Sequence, residues 1–340
     1  MKAIWAYLGI GFTCCFLVAG KITENKNKYT ITGYAQGTDY AITYYARDSC
    51  VTKEAVDSIL SVIDSSMSLY KPYSLISKLN SAGSGVFELD DHFYRVLKQS
   101  FEIYRKSKGI FDVSVAPLVQ LWGFGVENVD HFPDSNEVRA TLECVGMDKL
   151  KLRGHLLEKK TPCTQIDLNG IAQGYSVDVL AGFLEQRGIE QCIVEVGGEL
   201  RVKGPKPDGS PMRIGIERPL NDGSGNVTIN DVMEIRKGAI TTAGNYRKFL
   251  QNGNRKISHH IDPRTGYPFD RGVISATVYA EDAITADGYD NVIMAMDAAE
   301  AISYVNKHKG LEVFVIYKDA AGTVRDTMSI GFKKLLAINK

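Results

Sequence analysis

The sequence predicts an α+β fold built as one compact unit, and three observations predict it. Helical and strand-like patterns intermix along 340 residues without the strict strand–helix–strand rhythm of a parallel α/β sheet. Hydrophobic residues make up 44% and charged residues 24%, globular values that exclude global disorder. No repeat occurs, and no interior linker is richer than Pro205 to Ser210 (PKPDGS).

The elements follow in order. Tyr29 to Arg47 alternates apolar and polar residues around Gly33 and Gly37, which predicts a hairpin. Thr52 to Met67 carries Ala55, Val56, Ile59, Leu60, Val62 and Ile63 as a helical stripe. Asp90 to Lys108 carries Phe93, Val96, Leu97, Phe101 and Tyr104 and stops at Gly109, a longer helix with a glycine stop. Pro133 to Cys144 and Ala172 to Arg187 read as helices, the second ended by Gly188. Short strands are expected at Cys192 to Val196, Met212 to Ile216, Val232 to Ile235 and Ile274 to Tyr279. Helices return at Ile284 to Met296 and Ala298 to Lys307, before a strand at Glu312 to Tyr317.

Residues 1–20 read as a targeting segment. A single Lys2 precedes the uncharged run IWAYLGIGFTCCFLVAG, and polarity changes abruptly at KITENKNK. Val18-Ala19-Gly20 offers small residues for cleavage, while Cys14 or Cys15 could carry lipid as in a bacterial lipoprotein. The apolar run, 17 residues from Ile4 to Gly20, is at the lower edge of a membrane span, so an uncleaved anchor is a third option. Residues 21–28 then form a polar tether and residues 29–340 the folded body. An exported protein is expected, periplasmic or anchored on the periplasmic side of the inner membrane.

Forty basic against forty acidic residues give zero net charge, which removes the usual electrostatic reason to expect a nucleic-acid partner. The body keeps Cys50, Cys144, Cys163 and Cys192, none in a zinc-binding spacing, and they read as four part-buried thiols. Export allows a disulfide, but the sequence does not pair them.

Chemistry concentrates in four polar islands with glycines. Gly109 to Gly125 (GIFDVSVAPLVQLWGFG) sets Asp112 in an apolar, aromatic run, where it must be paired or hydrogen-bonded if buried; a turn or cap is the plain reading. Gln165 to Gly174 (QIDLNGIAQG) reads as a strand passing into a helix through glycines. That junction aims backbone N–H groups at one spot and suits phosphate, with Asp167 beside it; ordinary packing is the competing reading. Ile257 to Gly266 (ISHHIDPRTG) gathers two His, an Asp and an Arg, fit either for acid–base work or for a turn closed by an Asp–Arg bond. Thr285 to Met294 (TADGYDNVIM) places Asp287 and Asn291 on one helical face, where two oxygen donors suit Mg²⁺, or simply cap the helix.

Taken in order, these islands resemble the ApbE family of FAD:protein FMN transferases, also called thiamine biosynthesis lipoproteins. The likeness runs through Ala35 to Thr38 (AQGT), Met67 to Ser74 (MSLYKPYS), Phe111 to Leu118 (FDVSVAPL) and Asp167 to Gly174 (DLNGIAQG). It continues through Val196-Gly197-Gly198, Thr241 to Arg247 (TTAGNYR), Ser258 to Gly266 (SHHIDPRTG) and Ala286-Asp287. The resemblance implies a largely antiparallel mixed sheet flanked by helices. It also implies Mg²⁺-dependent transfer of FMN from FAD to a Thr or Ser of an exported partner, such as a subunit of a membrane redox complex, with release of AMP.

Carried over by position, the flavin nucleotide would be held by Gln36, Tyr70, Ile110, Phe111, Asp112, Asp167, Gln173 and Ile261. The metal would sit on the Gly170 carbonyl, Asp287 and Asn291, with Asp290 close by. His259 matches the histidine for which a base role is implied, and the nearby Asp262 is the other candidate. Three departures stand out: Gln36 where the family commonly has Met, Asn291 where it has Thr, and Ala243 where it has Ser. An FAD pyrophosphatase and a non-catalytic flavin-carrying lipoprotein are the rival readings.

Overall fold

The computed structural model describes residues 25–219, 227–245, 249–252, 255–269 and 271–337. The expected export signal with Cys14 and Cys15, the first half of the tether, and Tyr246 and Arg247 lie outside them.

The first strand begins two residues earlier than the sequence suggested: β1 (Asn27–Ala35) pairs antiparallel with β2 (Thr38–Ala46). Gln36 and Gly37 make the connection, both with positive φ (54° and 76°), the two-residue turn that matches strand twist. Helix α1 (Lys53–Met67) is capped by the Thr52 hydroxyl and buries Val56, Leu60 and Ile63 of the stripe read from sequence, while Val62 is left exposed. A short α2 (Leu75–Ser81) and β3 (Gly85–Glu88) lead to α3 (Asp91–Ser107), which ends at Lys108 in the left-handed region ahead of Gly109. Next come α4 (Ala116–Leu121) and α5 (Ser135–Leu142), then β4 (Leu150–Arg153) and β5 (Leu156–Lys159), which join β3 in a small sheet ordered β3-β5-β4.

Helix α6 (Ala172–Gln186) precedes β6 (Cys192–Val196) and β7 (Glu199–Lys203). A hairpin of β8 (Met212–Pro219) and β9 (Val227–Ile235) and the strand β10 (Gly238–Gly244) follow. A second hairpin, β11 (Phe249–Asn252) with β12 (Arg255–Ser258), precedes β13 (Val273–Ala280). The chain finishes with α7 (Ala283–Met294), α8 (Ala298–Lys307), β14 (Glu312–Lys318), β15 (Val324–Met328) and α9 (Ile330–Lys333).

Eight strands form one sheet in the order β1-β2-β6-β7-β10-β13-β14-β15, and every neighbouring pair is antiparallel. This is the single-domain α+β architecture the sequence implied. Alternation along the strands divides its two faces. Val194, Val196, Ala239, Val278 and Val313 face the helices, joining clusters with Leu60, Leu180, Ala283 and Val292. Leu200, Val202, Ile240, Phe314 and Ile316 face the other way and are covered by Met212, Ile216 and Met233 of the β8–β9 hairpin and Phe332 of α9. The molecule is therefore layered as hairpin, sheet and helices. A separate small cluster joins Leu118 and Trp122 of α4 to Val138, Val145 and Ile261.

The reading of four thiols is corrected. Cys144 and Cys163 form a disulfide with their Cα atoms 5.3 Å apart, whereas Cys50 is exposed and Cys192 is buried. Burial pushes the Cys192 thiol up to about 11, so it is an inert core group.

Candidate active site

The polar centre of the molecule lies where α6 crosses α7. The helices touch closely because position 174 has no side chain: a Cβ there would sit 2.3 Å from the Ala283 carbonyl oxygen and 2.7 Å from the Asp287 Cβ. The contact lets Asp287 Oδ2 accept the Gly174 N–H at 2.8 Å, filling an otherwise unpaired amide in the first turn of α6. The helix start expected to present free N–H groups to phosphate is thus largely occupied. Ile171 and Ala172 donate to the Leu168 carbonyl, Tyr175 to that of Ile171, and Gly174 to Asp287.

Asp287 and Asp290 are 4% and 2% exposed. Burial, then the charge of Glu199, pushes the Asp287 carboxyl well above the ordinary range; burial and then Asp287 do the same to Asp290. Asn291 completes the group. Its Nδ2 donates to the Gly170 carbonyl (3.3 Å), the Asp287 carbonyl (3.0 Å) and Asp290 Oδ1 (2.9 Å). Its nitrogen, rather than the oxygen expected to ligate a metal, faces these acceptors. Electrostatics accounts for that orientation, since an amide oxygen would repel three other oxygens and the NH₂ group brings positive charge to them.

Among the described residues no group of three or more His, Cys, Asp and Glu side chains is arranged to hold a metal. The donor chemistry nonetheless fits a hard divalent cation. Two buried carboxylates, a main-chain carbonyl and an amide are all oxygen-bearing, and the surplus negative charge at this dry crossing is relieved by a cation.

Sequence reasoning missed the residues that hold α7 in place. Asp178 on α6 accepts the Ala283 N–H (3.0 Å) and the Ile284 N–H (2.9 Å) at the start of α7, and Arg201 of β7 donates to it at 2.6 Å. Asp282 adds a conventional cap to Thr285. The available signal was an Asp between Val177 and Val179 in an apolar helix, which must be paired if buried. Glu199, directly after Gly197-Gly198, was also missed.

The flavin-side candidates fall on segments joined to this crossing. Gln36 donates to Ser176 Oγ of α6 at 2.9 Å, and Asp64 of α1 is another of its partners. Gln173 lies beside Gly197, whose Cβ would meet its Nε2 at 2.7 Å. Asp167 accepts the Asn169 N–H, while its own N–H bonds the Val113 carbonyl at 2.8 Å. The side chain of Asn80 pairs with both the N–H and the carbonyl of Ile166, each at 2.8 Å. Tyr70 is 64% exposed in the turn before α2. Phe111 is buried, and Ile110 packs on the main core from its rim.

The Asp112 carboxylate is turned inward, accepting from Ser114 N (2.8 Å), Ser114 Oγ (2.5 Å) and Met147 N (3.2 Å). What the Ile110–Asp112 loop can present to a ligand is therefore its backbone, with the carboxylate as its brace. This is the turn role that the residues alone suggested.

Beyond the end of β12 at Ser258, the island from Ile257 to Gly266 closes as a turn on Asp262, whose carbonyl accepts the Thr265 and Gly266 N–H groups. Asp262 binds Arg264 with both oxygens, to Nε and to one terminal nitrogen at 2.9 Å each, and also accepts the Arg264 N–H. Both oxygens of the Asp262 carboxylate are therefore engaged by Arg264. His259 packs 4.0 Å from the ring of His260 and 6.1 Å from that of Phe124. Burial, aided by His259, drives His260 well below the ordinary histidine range and keeps it neutral. Ile261 belongs to the α4 cluster, and Trp122 Nε1 ties that helix to the island by donating to the Gly266 carbonyl at 2.7 Å.

Comparisons with known proteins agree with one another on the family. The family model described as the ApbE family matches residues 36–315. An FAD:protein FMN transferase of Vibrio cholerae is 34% identical over 313 residues, covering 90% of this chain and 92% of that protein. A protein of the same name from Escherichia coli K12 is 31% identical over 301 residues, 87% of this chain and 84% of its own. Among solved structures, the flavin transferase ApbE from Vibrio cholerae gives a TM-score of 0.82 at 33% identity, covering 92% of this chain and 100% of that one. The apo flavinyl transferase ApbE of Pseudomonas stutzeri also gives 0.82, at 27% identity, covering 93% and 98%. A family model matching most of the chain, a relative 34% identical over 90% of it and a fold shared nearly from end to end establish the relation: the chain belongs to the ApbE family.

Proposed function

We propose that this chain is an FAD:protein FMN transferase. It moves FMN from FAD to a Ser or Thr hydroxyl of an exported acceptor protein and releases AMP, with Mg²⁺ held at the α6–α7 crossing. The observation that carries the reading is the crowding of Asp287, Asp290 and Glu199 into a dry site beside the Gly170 carbonyl. Such a site favours a cation, and the cation in turn favours a pyrophosphate.

Asp287, Asp290, the Gly170 carbonyl and Asn291 would hold the metal, Asn291 by rotating its amide so that the oxygen faces inward. Bound there, Mg²⁺ would supply charge neutralisation for the pyrophosphate and for the leaving AMP phosphate. The backbone of Ile110 to Asp112, with Gln36, Tyr70, Asp167, Gln173 and Ile261, holds and orients FAD. The acceptor hydroxyl oxygen attacks the flavin-side phosphorus as the bond to the bridging oxygen breaks. AMP leaves with that oxygen, and His259 takes the hydroxyl proton.

The reading extends to location: a body released by cleavage near Gly20, or held by lipid on Cys14 or Cys15, working outside the cytoplasm on subunits of membrane redox complexes. The Cys144–Cys163 disulfide supports it, because such bonds persist in oxidising compartments.

One assay tests the chemistry. The protein is incubated with FAD, Mg²⁺ and a domain bearing a Ser/Thr-Gly-Ala-Thr acceptor, and covalent flavin and AMP are measured. Flavin on the acceptor with matching AMP supports transfer. AMP with free FMN would make the protein a pyrophosphatase, and unchanged bound FAD would make it a carrier.

A further inference from the structure

The Cys144–Cys163 disulfide sits at the back of the flavin-side loop. Cys144 opens the turn after α5, and two successive amides of that turn point at Asp112 and Ser114. Gly146 N donates to Ser114 Oγ at 2.6 Å, and Met147 N donates to Asp112 Oδ2 at 3.2 Å. Ser114 in turn donates to Asp112 Oδ1. On the other side, Cys163 precedes Thr164, whose buried hydroxyl donates to the Cys144 carbonyl at 2.8 Å. Gln165 then forms a parallel bridge with Val115, and Asp167 N bonds the Val113 carbonyl. The cross-link thus closes a ring around residues 112–115: the turn that supplies Asp112 with one of its donors is stapled to the segment that runs beside it, where the strand expected from Gln165 is reduced to a single bridge.

We propose that this disulfide is a positioning element of the flavin site, setting the Ile110–Asp112 loop through the Met147 and Gly146 amides, so that cutting it weakens FAD binding. The inference rests on the reading that this loop holds the flavin nucleotide. A small dithiol can reach the bond, since Cys163 is exposed and Cys144 half-buried. Reduction breaks the S–S bond, each sulfur takes up a proton, and the dithiol leaves as its own disulfide. The Asp112 brace then depends on a turn no longer tied to its neighbour.

The test measures FAD affinity by quenching of flavin fluorescence, with thermal midpoints in parallel. Five samples are compared: the oxidised protein, the dithiol-reduced protein, a C144S/C163S double variant, Asp112→Asn alone, and Asp112→Asn combined with that double variant. Reduction and the double variant are each expected to weaken FAD binding about tenfold, the size seen when a partner that orients a binding group is lost. The KM for FAD rises in parallel while kcat at saturating FAD stays within about twofold. In the Asp112→Asn background, removing the cysteines should cost little more, because both changes act through one brace.

Normal FAD affinity in the cysteine variant, with only the thermal midpoint lowered, would reduce the bond to a plain stability cross-link. Fully additive losses would also overturn the proposal. An oxidised Asp112→Asn protein that binds FAD like the unaltered one would instead sink the assignment of the loop to the flavin.

Discussion

Asp112 and Asp287 occupy comparably dry surroundings, 8% and 4% exposed, and burial raises the carboxyl of each. The protein treats them oppositely. Around Asp112 three donors converge, and they pull against burial. Around Asp287, after burial, the next influence is the like charge of Glu199, and Asp178 adds to it; the Gly174 N–H pulls the other way. On the proposed reading, Asp112 acts for the fold and is surrounded by donors, while Asp287 acts for a ligand and is left short of them beside other anions, at a cost in stability.

The comparison can be broken by substitution, beginning with the largest effect. Asp287→Asn should lower Mg²⁺-dependent flavin transfer by about 100-fold or more, as expected when a group acting on the charge of the reacting phosphate is lost. It should also abolish any rise of the thermal midpoint with Mg²⁺. In metal-free solution the same variant should be no less stable than the parent, since the Asn oxygen can still accept the Gly174 N–H and a carboxyl whose ionisation burial and Glu199 oppose is gone. A loss of stability there would refute the idea that Asp287 is strained for function.

Asp112→Asn should behave in the reverse sense. It places an NH₂ where Oδ2 now accepts the Met147 amide, or where Oδ1 accepts from Ser114, and should cost about 2 kcal/mol in denaturant unfolding. Arg201→Met, which leaves Asp178 with backbone partners alone, should cost about 1–2 kcal/mol. It should also lower Mg²⁺ affinity by loosening the start of α7; unaltered Mg²⁺ affinity would detach Asp178 from the site.

The smallest effect is a pH dependence. His260 is neutral when folded, with its value well below 6.5, whereas the unfolded chain titrates near that value. Below about pH 6.5 the unfolded state binds a proton that the folded state does not, so stability falls as pH falls. His260→Gln should flatten that slope in urea titrations at pH 5 to 7; an unchanged slope would place its source elsewhere.

How much of this was legible follows from local physics. Helices α1 and α3 were readable because each has one wet face, so burial prints a 3.6-residue rhythm on the chain. Strand β10 (GAITTAG) was not, because Ala239 and Thr241 lie under helices while Ile240 lies under the hairpin, and a strand covered on both faces loses its alternation. The site followed the same division. Asp287 and Asn291 were readable because their spacing within one helix sets their geometry. Asp178 with Arg201, 23 residues apart, and Cys144 with Cys163, 19 apart, become neighbours only through the fold. Asp262 showed that a promising cluster of polar residues can be spent on its own turn.

The division of the sheet into two faces has a practical side. Strand β7 sends Arg201 toward the α6–α7 crossing and Leu200 and Val202 toward the β8–β9 hairpin, so the sheet works as a partition with chemistry on one side. On the other side, the β8–β9 hairpin turns Arg213 and Glu234 to solvent, 60% and 41% exposed. A dye, an affinity handle or a surface tether introduced there would be carried behind the partition. It would report on or immobilise the enzyme while leaving the approach of a large protein acceptor clear.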